Sequence, residues 1–280
     1  MRFATSLLFV SSAAAFSIGA HRASAPVRRT VVSPQCSIAV FGGTGGTGSE
    51  AVFQALDRGE SVVTLARDPS KMTVPEGSGG SSAGKPLTNE KLTVFQGSVT
   101  NKADVDKVFA DQGVTGVVVA LGGKTKDVGA TMLQDGTANI IAACKANGVK
   151  RISVVTTIGA GDSMDQAPWA FRLLMMTVMS SIMADKNAQE SVIMSAGADL
   201  EYCIVRPGGL KSDPPTGIVT AGSDQEAGAI TRADVAAFCL DALLEEDFQF
   251  LKQAVSISSN MGSGFKSVLA DKTQSRMAKK

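Results

Sequence analysis

From Cys36 onward the chain alternates short unbroken apolar runs with stretches of helical periodicity. Ser37-Ile38-Ala39-Val40-Phe41 reads as a strand buried on both faces, because no polar residue alternates with its apolar ones. A Gly-rich turn follows, then a helix over about 48–58 that stops at Gly59. Further runs at 61–65, 92–95, 117–121, 152–156, 202–205 and 254–258 predict strands. Helical stretches fall at about 102–111, 130–146, 168–183, 186–196 and 232–244, while 76–90 (EGSGGSSAGKPLTNE) reads as a flexible surface loop. Alternation of this kind predicts an α/β fold, a doubly wound parallel sheet forming a single domain over 36–260. Ligands of such sheets bind outside the carboxyl ends of the strands, where the strand order reverses. Residues 261–280 are polar and read as a frayed tail.

The first 35 residues do not fit this pattern. They hold four Arg, no Lys and no acid; the first acidic residue of the chain is Glu50. Arg2 precedes a short apolar run, Phe3 to Ala15, that ends in Ala13-Ala14-Ala15 and is followed by Phe16 and an Arg- and Ser-rich stretch. A signal-peptide layout in series with a transit-peptide composition resembles the bipartite presequence of algae with secondary plastids. Residues 1–35 are therefore expected to be a plastid address, in preference to simple secretion or a mitochondrial signal, with the protein in the stroma or peripheral to a membrane. Without those four Arg, 23 basic residues face 26 acidic ones, a net charge of −3.

Composition narrows the chemistry. The chain has one His, one Tyr and one Trp among 280 residues, and the His is His21, inside the presequence. A multi-histidine metal site is excluded and no metal is expected. The near-neutral balance gives no electrostatic reason to expect nucleic acid. Cys36, Cys144, Cys203 and Cys239 are widely spaced in apolar stretches and read as buried reduced thiols.

The strongest local signal is Gly42-Gly43-Thr44-Gly45-Gly46-Thr47-Gly48, between the first strand and the first helix. In that context Gly42 permits a tight turn, Gly45 and Gly46 let a pyrophosphate come close to the backbone, and Gly48 allows close helix packing. The helix N-terminus offers amides and a positive dipole end, and the Thr44 and Thr47 hydroxyls add donors.

The spacing is G-x-x-G-x-x-G, and here the chain resembles the atypical short-chain dehydrogenase/reductase superfamily with its Rossmann fold. Within it, the chain resembles NAD(P)-binding NmrA-like proteins, including the flavin reductase (biliverdin-IXβ reductase) type and chloroplast relatives. The resemblance also rests on Thr64 to Lys71, Asn139 to Ala143, Gly148 to Arg151, Ile204 to Leu210 and Thr231 to Ala236. It implies a nicotinamide cofactor lined by Ser98 and Val99 after strand three, by Leu121 and Gly122 after strand four, by Thr156, and by Pro207, Gly208 and Gly209. Relatives often carry an Asp where Ser98 stands. Arg67 at the end of strand two, with Lys71 four residues on, suits the 2′-phosphate of NADP. Asp68 is spaced for the ribose of NAD, so both nucleotides stay open with NADP preferred.

Many short-chain reductases use Tyr-x-x-x-Lys with a strand-five hydroxyl. Lys186 matches that Lys and Thr157 the hydroxyl, but Ile182 stands where the Tyr is expected, and Tyr202 belongs to strand six. Two functions fit. One is an NADPH-dependent reductase of a flat conjugated small-molecule acceptor (flavin, quinone or tetrapyrrole) that needs no phenol. The other is a non-catalytic NADP(H)-binding subunit associated with thylakoid or envelope proteins. The Met-rich stretch 168–183 fits an acceptor lid, a buried helix or a partner-facing surface.

Overall fold

The computed structural model of the chain describes residues 36–122, 129–223 and 228–259. Residues 1–35, where the plastid address is expected, Gly123 and the tail from 260 lie outside the described residues.

The strands, in chain order, are β1 (Ser37–Phe41), β2 (Ser61–Ala66), β3 (Leu92–Gln96), β4 (Val114–Val119), β5 (Arg151–Val155), β6 (Glu201–Pro207), β7 (Gly209–Lys211), β8 (Thr220–Gly222), β9 (Ala229–Thr231) and β10 (Gln253–Ser258). Eight of them form one sheet in the order β3-β2-β1-β4-β5-β6-β10-β8. All its pairings are parallel except β10 with β8, at the edge. β7 and β9 form a separate parallel pair. The sheet is doubly wound, a Rossmann fold, and its order reverses between β1 and β4.

The unbroken apolar runs are unbroken because both faces of the sheet are covered. Ala39 and Phe41 of β1 face α2 (Lys102–Phe109), α3 (Met132–Ala146) and the long helix Ser180–Met194, meeting Val105, Ile140 and Ile193. Ile38 and Val40 face the opposite way, onto Ala51 and Val52 of α1 (Gly46–Asp57) and Val235 and Cys239 of helix Arg232–Leu244.

Three expectations need correction. The predicted helix 168–183 is two pieces, α4 (Trp169–Met176) and the start of α5 (Ser180–Met194), with the break at Thr177. The Thr177 hydroxyl donates to the Leu173 carbonyl at 2.7 Å, the local competition by which Thr unsettles a helix end. α5 begins six residues before the predicted 186 because polar residues anchor its buried sides. Asp185 accepts from the Leu133 and Gln134 amides (2.9 and 3.0 Å) at the start of α3, and Gln189 donates to Thr137 (2.9 Å). The loop 76–90 is pinned rather than free. The buried Glu50 carboxylate accepts from the Gly77 amide (2.8 Å) and the Ser78 amide, and Thr73 bridges to Pro86. Helix α6 is Arg232–Leu244, as its periodicity predicts. Among the cysteines, Cys144, Cys203 and Cys239 are buried free thiols, while Cys36 is exposed.

Candidate functional site

A cleft of about 900 Å³ opens at the carboxyl ends of β1 to β5, over the point where the strand order reverses. Its size lies at the upper end of the roughly 300–1,000 Å³ usual for small-molecule sites. The Gly-rich turn forms its floor. Gly42 has φ +88°, and a side chain there would meet the Ala120 carbonyl oxygen at 2.3 Å. Only a residue without Cβ passes beneath β4 at this angle.

The turn leads into α1, whose N-cap is Gly45 with no side-chain cap and whose first turn carries no acid. The first intrahelical bond is from the Ser49 amide to the Gly45 carbonyl (2.8 Å). The amides ahead of Ser49 therefore have no helix carbonyl and point their positive dipole end into the cleft. That cradle fits a diphosphate.

The cleft wall brings together Gly42, Thr44, Gly45, Gly46, Thr47, Arg67, Lys71, Ser98, Val99, Leu121, Gly122, Thr156, Thr157 and Lys186, all expected from the sequence. Gly48, Pro207, Gly208 and Gly209 are not part of it. Gly48 faces back into the turn, where an added Cβ would sit 2.0 Å from the Gly42 carbonyl oxygen. Pro207 accepts from the Ile158 amide. Gly208 packs on the Gly228 backbone, and the Gly209 amide donates to the Gly228 carbonyl (2.9 Å) as the β7–β9 pair begins. Those three residues are used up in closing the strands, and Leu210 reaches the cleft instead. Arg232, Met132 and Thr100, to which the sequence reading gives no place in the site, also line the wall.

At the β2 end, Arg67 is exposed on the cleft rim and Lys71 lies on the 3-10 turn that follows. Asp68 does not line the cleft. Its carboxylate accepts from the Ser70 hydroxyl (2.6 Å) and amide (3.1 Å) and lies 3.5 Å from Lys71 Nζ. Those hydrogen bonds, with the Lys71 charge beside them, hold its pKa below the ordinary carboxylate value. After β3, Ser98 shares a hydrogen bond with Thr100 (2.8 Å).

At the β5 end the polar groups form one connected unit. Arg206 and Glu190 are 3% and 2% exposed; Arg206 donates twice to Glu190, at 3.0 and 2.7 Å, and once to Asp162 at 2.6 Å. The Thr156 hydroxyl donates to Glu190 (2.7 Å), so it is turned away from the cleft. Lys186 Nζ donates to the Thr156 carbonyl (3.1 Å). Burial lowers the Lys186 pKa to about 8, against the opposing pull of Glu190 and Asp185. Thr157 lines the cleft as well. Tyr202 is packed against the core under α3 and α5 and is not in the wall. Among the described residues no His or Tyr lines the cleft, and no cluster of His, Cys, Asp and Glu is arranged to hold a metal.

None of 168–183 lines the cleft either. Met175 turns inward onto Gly159 and Ala160, while Trp169 (80% exposed), Leu173, Met176 and Val178 (80%) face outward. Among the described residues no helix is long and apolar enough to cross a membrane.

Known proteins agree with this geometry. Residues 42–246 match the NAD(P)H-binding family. An uncharacterized chloroplastic protein of Arabidopsis thaliana is 32% identical over 222 residues, covering 75% of this chain and 73% of that protein. An oxidoreductase of Pestalotiopsis microspora is 27% identical, over 81% of this chain and 87% of its own. Among solved structures, an anaerobilin reductase from Escherichia coli O157:H7 superposes with a TM-score of 0.61 at 23% identity, covering 80% of this chain and 97% of its own. A Veillonella parvula short-chain dehydrogenase/reductase in complex with NADP gives 0.62 at 17%, covering 79% and 94%. At such identities these two show a shared fold. The chain thus belongs to the NAD(P)H-binding family.

Proposed function

We propose that this protein is a plastid NADPH-dependent reductase of a flat conjugated acceptor, a flavin, quinone or tetrapyrrole. The observation that carries the reading is a cleft floored by the Gly-rich turn and the uncapped start of α1, whose described wall holds neither phenol nor imidazole. Arg67 and Lys71 favour NADP over NAD, since they face the cleft while Asp68 is committed to Ser70 and Lys71. When bound, the nicotinamide supplies the hydride. The protein's own part is placement: the α1 amides hold the diphosphate, and Thr157 and Lys186 flank the acceptor end. The Lys186 ammonium, brought to about 8, holds a proton that is easily exchanged near neutral pH. An acceptor whose reduced form takes its remaining proton from solvent or from this ammonium needs no Tyr at position 182. The chloroplastic Arabidopsis relative and the Arg-rich leader support the plastid location.

The test is stopped-flow oxidation of NADPH by the protein with flavin, quinone and tetrapyrrole panels. No turnover with any of them sinks the enzyme reading. Nucleotide choice is tested by titrating NADPH against NADH, with Arg67→Ala losing about 1.5–3 kcal/mol for NADPH alone. Equal binding of both nucleotides by the wild type removes the NADP assignment.

One observation favours a second reading. The outward face of α4 and the link that follows it are apolar and exposed, with Trp169 on the helix and Val178 in the link each 80% exposed, which suits a non-catalytic NADP(H)-binding subunit docked on a plastid membrane complex. Co-fractionation with thylakoid or envelope complexes that shifts with the NADP/NADPH ratio supports it. A soluble chain indifferent to the nucleotide contradicts it.

A further inference from the structure

Arg232 is the first residue of α6, set there by its neighbour: the Thr231 hydroxyl accepts from the Asp234 amide (3.0 Å) and caps the helix. From that position the half-buried side chain crosses to the neighbouring helix. A Cβ on Gly46 would lie 2.7 Å from both Cδ and Nε of Arg232, so the two are in van der Waals contact only because residue 46 has no side chain. Arg232 lines the cleft together with Gly45, Gly46 and Thr47, its Nε beside Gly46. Among the described residues its one hydrogen bond is from Nη1 to the Ser212 hydroxyl (3.0 Å), and no carboxylate pairs with it. Arg58 on α1 and Arg206 beneath the β5 end, by contrast, are both matched to acids. A half-buried guanidinium without a counter-anion among the described residues, against the uncapped end of α1, is placed for an anion brought by a ligand.

We infer that Arg232 is a clamp on the dinucleotide's diphosphate, closing it from the α6 side while the α1 amides hold it from below. This rests on the nucleotide reading above and adds a residue to it. The cationic groups of the cleft then serve different parts of the ligand, with Arg67 and Lys71 at the 2′-phosphate end and Arg232 at the centre. Through Ser212, the same guanidinium links the diphosphate to the segment carrying Leu210, which also lines the cleft. Binding of the nucleotide and ordering of that segment are thereby coupled.

The test uses the full chain and three ligands: NADPH, 2′-phospho-ADP-ribose, which keeps the diphosphate without nicotinamide, and adenosine 2′-monophosphate, which lacks the diphosphate. Arg232→Ala should weaken the first two about tenfold or more and leave the third unchanged. Arg232→Lys, which keeps the charge and the fold, should recover part of the loss. Hydrogen exchange at 209–217 should be slowed by 2′-phospho-ADP-ribose in the wild type and not in Arg232→Ala. Unchanged NADPH affinity in both variants overturns the inference and leaves the nucleotide reading standing. Equal loss for all three ligands also overturns it, because the residue then acts through the fold. A wild type that binds no dinucleotide overturns both.

Discussion

The Arg206–Glu190 pair offers the sharpest test of how the β5 end is held. Glu190→Gln removes the charge and keeps the shape, so no cavity term enters. One end of the amide then presents N–H to a guanidinium that is 3% exposed and otherwise keeps only Asp162, which is 91% exposed and screened by water. Breaking a buried pair from one side costs about 3–5 kcal/mol, because a charge is left uncompensated. For a domain of this size, that is a fall in Tm of roughly 6–20 °C. Urea unfolding of the full chain at pH 7 measures it, with an unchanged m-value showing that the same surface is exposed on unfolding. Asp162→Asn touches the same guanidinium from the solvent side and should cost less than about 1 kcal/mol. If Glu190→Gln loses no more than Asp162→Asn, the pair is not the desolvated unit described, and Thr156 is oriented by something else.

Three further outcomes follow from the same geometry. Burial lowers Lys186 from 10.5 to about 8, so between those pH values the unfolded chain holds a proton that the folded chain has released; stability rises with pH across that window, and below it the term is constant. Urea stability of the wild type relative to Lys186→Met should therefore climb from pH 8 to 10, and parallel profiles would contradict it. Gly48→Ala places a methyl 2.0 Å from the Gly42 carbonyl oxygen, a clash that only backbone movement relieves; it should cost at least the upper part of roughly 1–3 kcal/mol by denaturation and abolish NADPH binding by calorimetry. Trp169→Ser with Leu173→Gln removes exposed apolar surface only, so stability should stay within about 0.5 kcal/mol while retention on an apolar resin falls. A large loss of stability would show that this face is packed.

The sequence carries the frame well where one physical rule acts alone. β1 is unbroken and apolar because both faces are covered, and its bounds are the predicted ones. α6 has a Thr cap and a clean period, and it too falls where expected. Legibility fails where polar residues are buried. Asp185, Gln189 and Glu190 make the inner sides of α5 look like solvent-facing positions, so its first four residues read as the end of the stretch before it. β7, β8 and β9 are three residues each, too short to show a period. Within the site, the residues at the strand-to-turn transitions after β1 to β5 are readable. Arg232 is not, since its neighbour Gly46 is met only by the packing of two helices far apart in the chain. The signal available is an Arg directly after a helix cap, and that pattern alone names no target.

Position 182 lies one turn before Lys186 on the same side of α5, yet none of the anchors that fix this helix pass through it. Asp185 holds α3, Gln189 holds Thr137, and Glu190 holds Arg206 and Thr156. None of these bonds involves Ile182, whose half-buried side chain is apolar. A phenol placed there by Ile182→Tyr would therefore stand one turn from the Lys186 ammonium without cutting any of the polar bonds that hold α5.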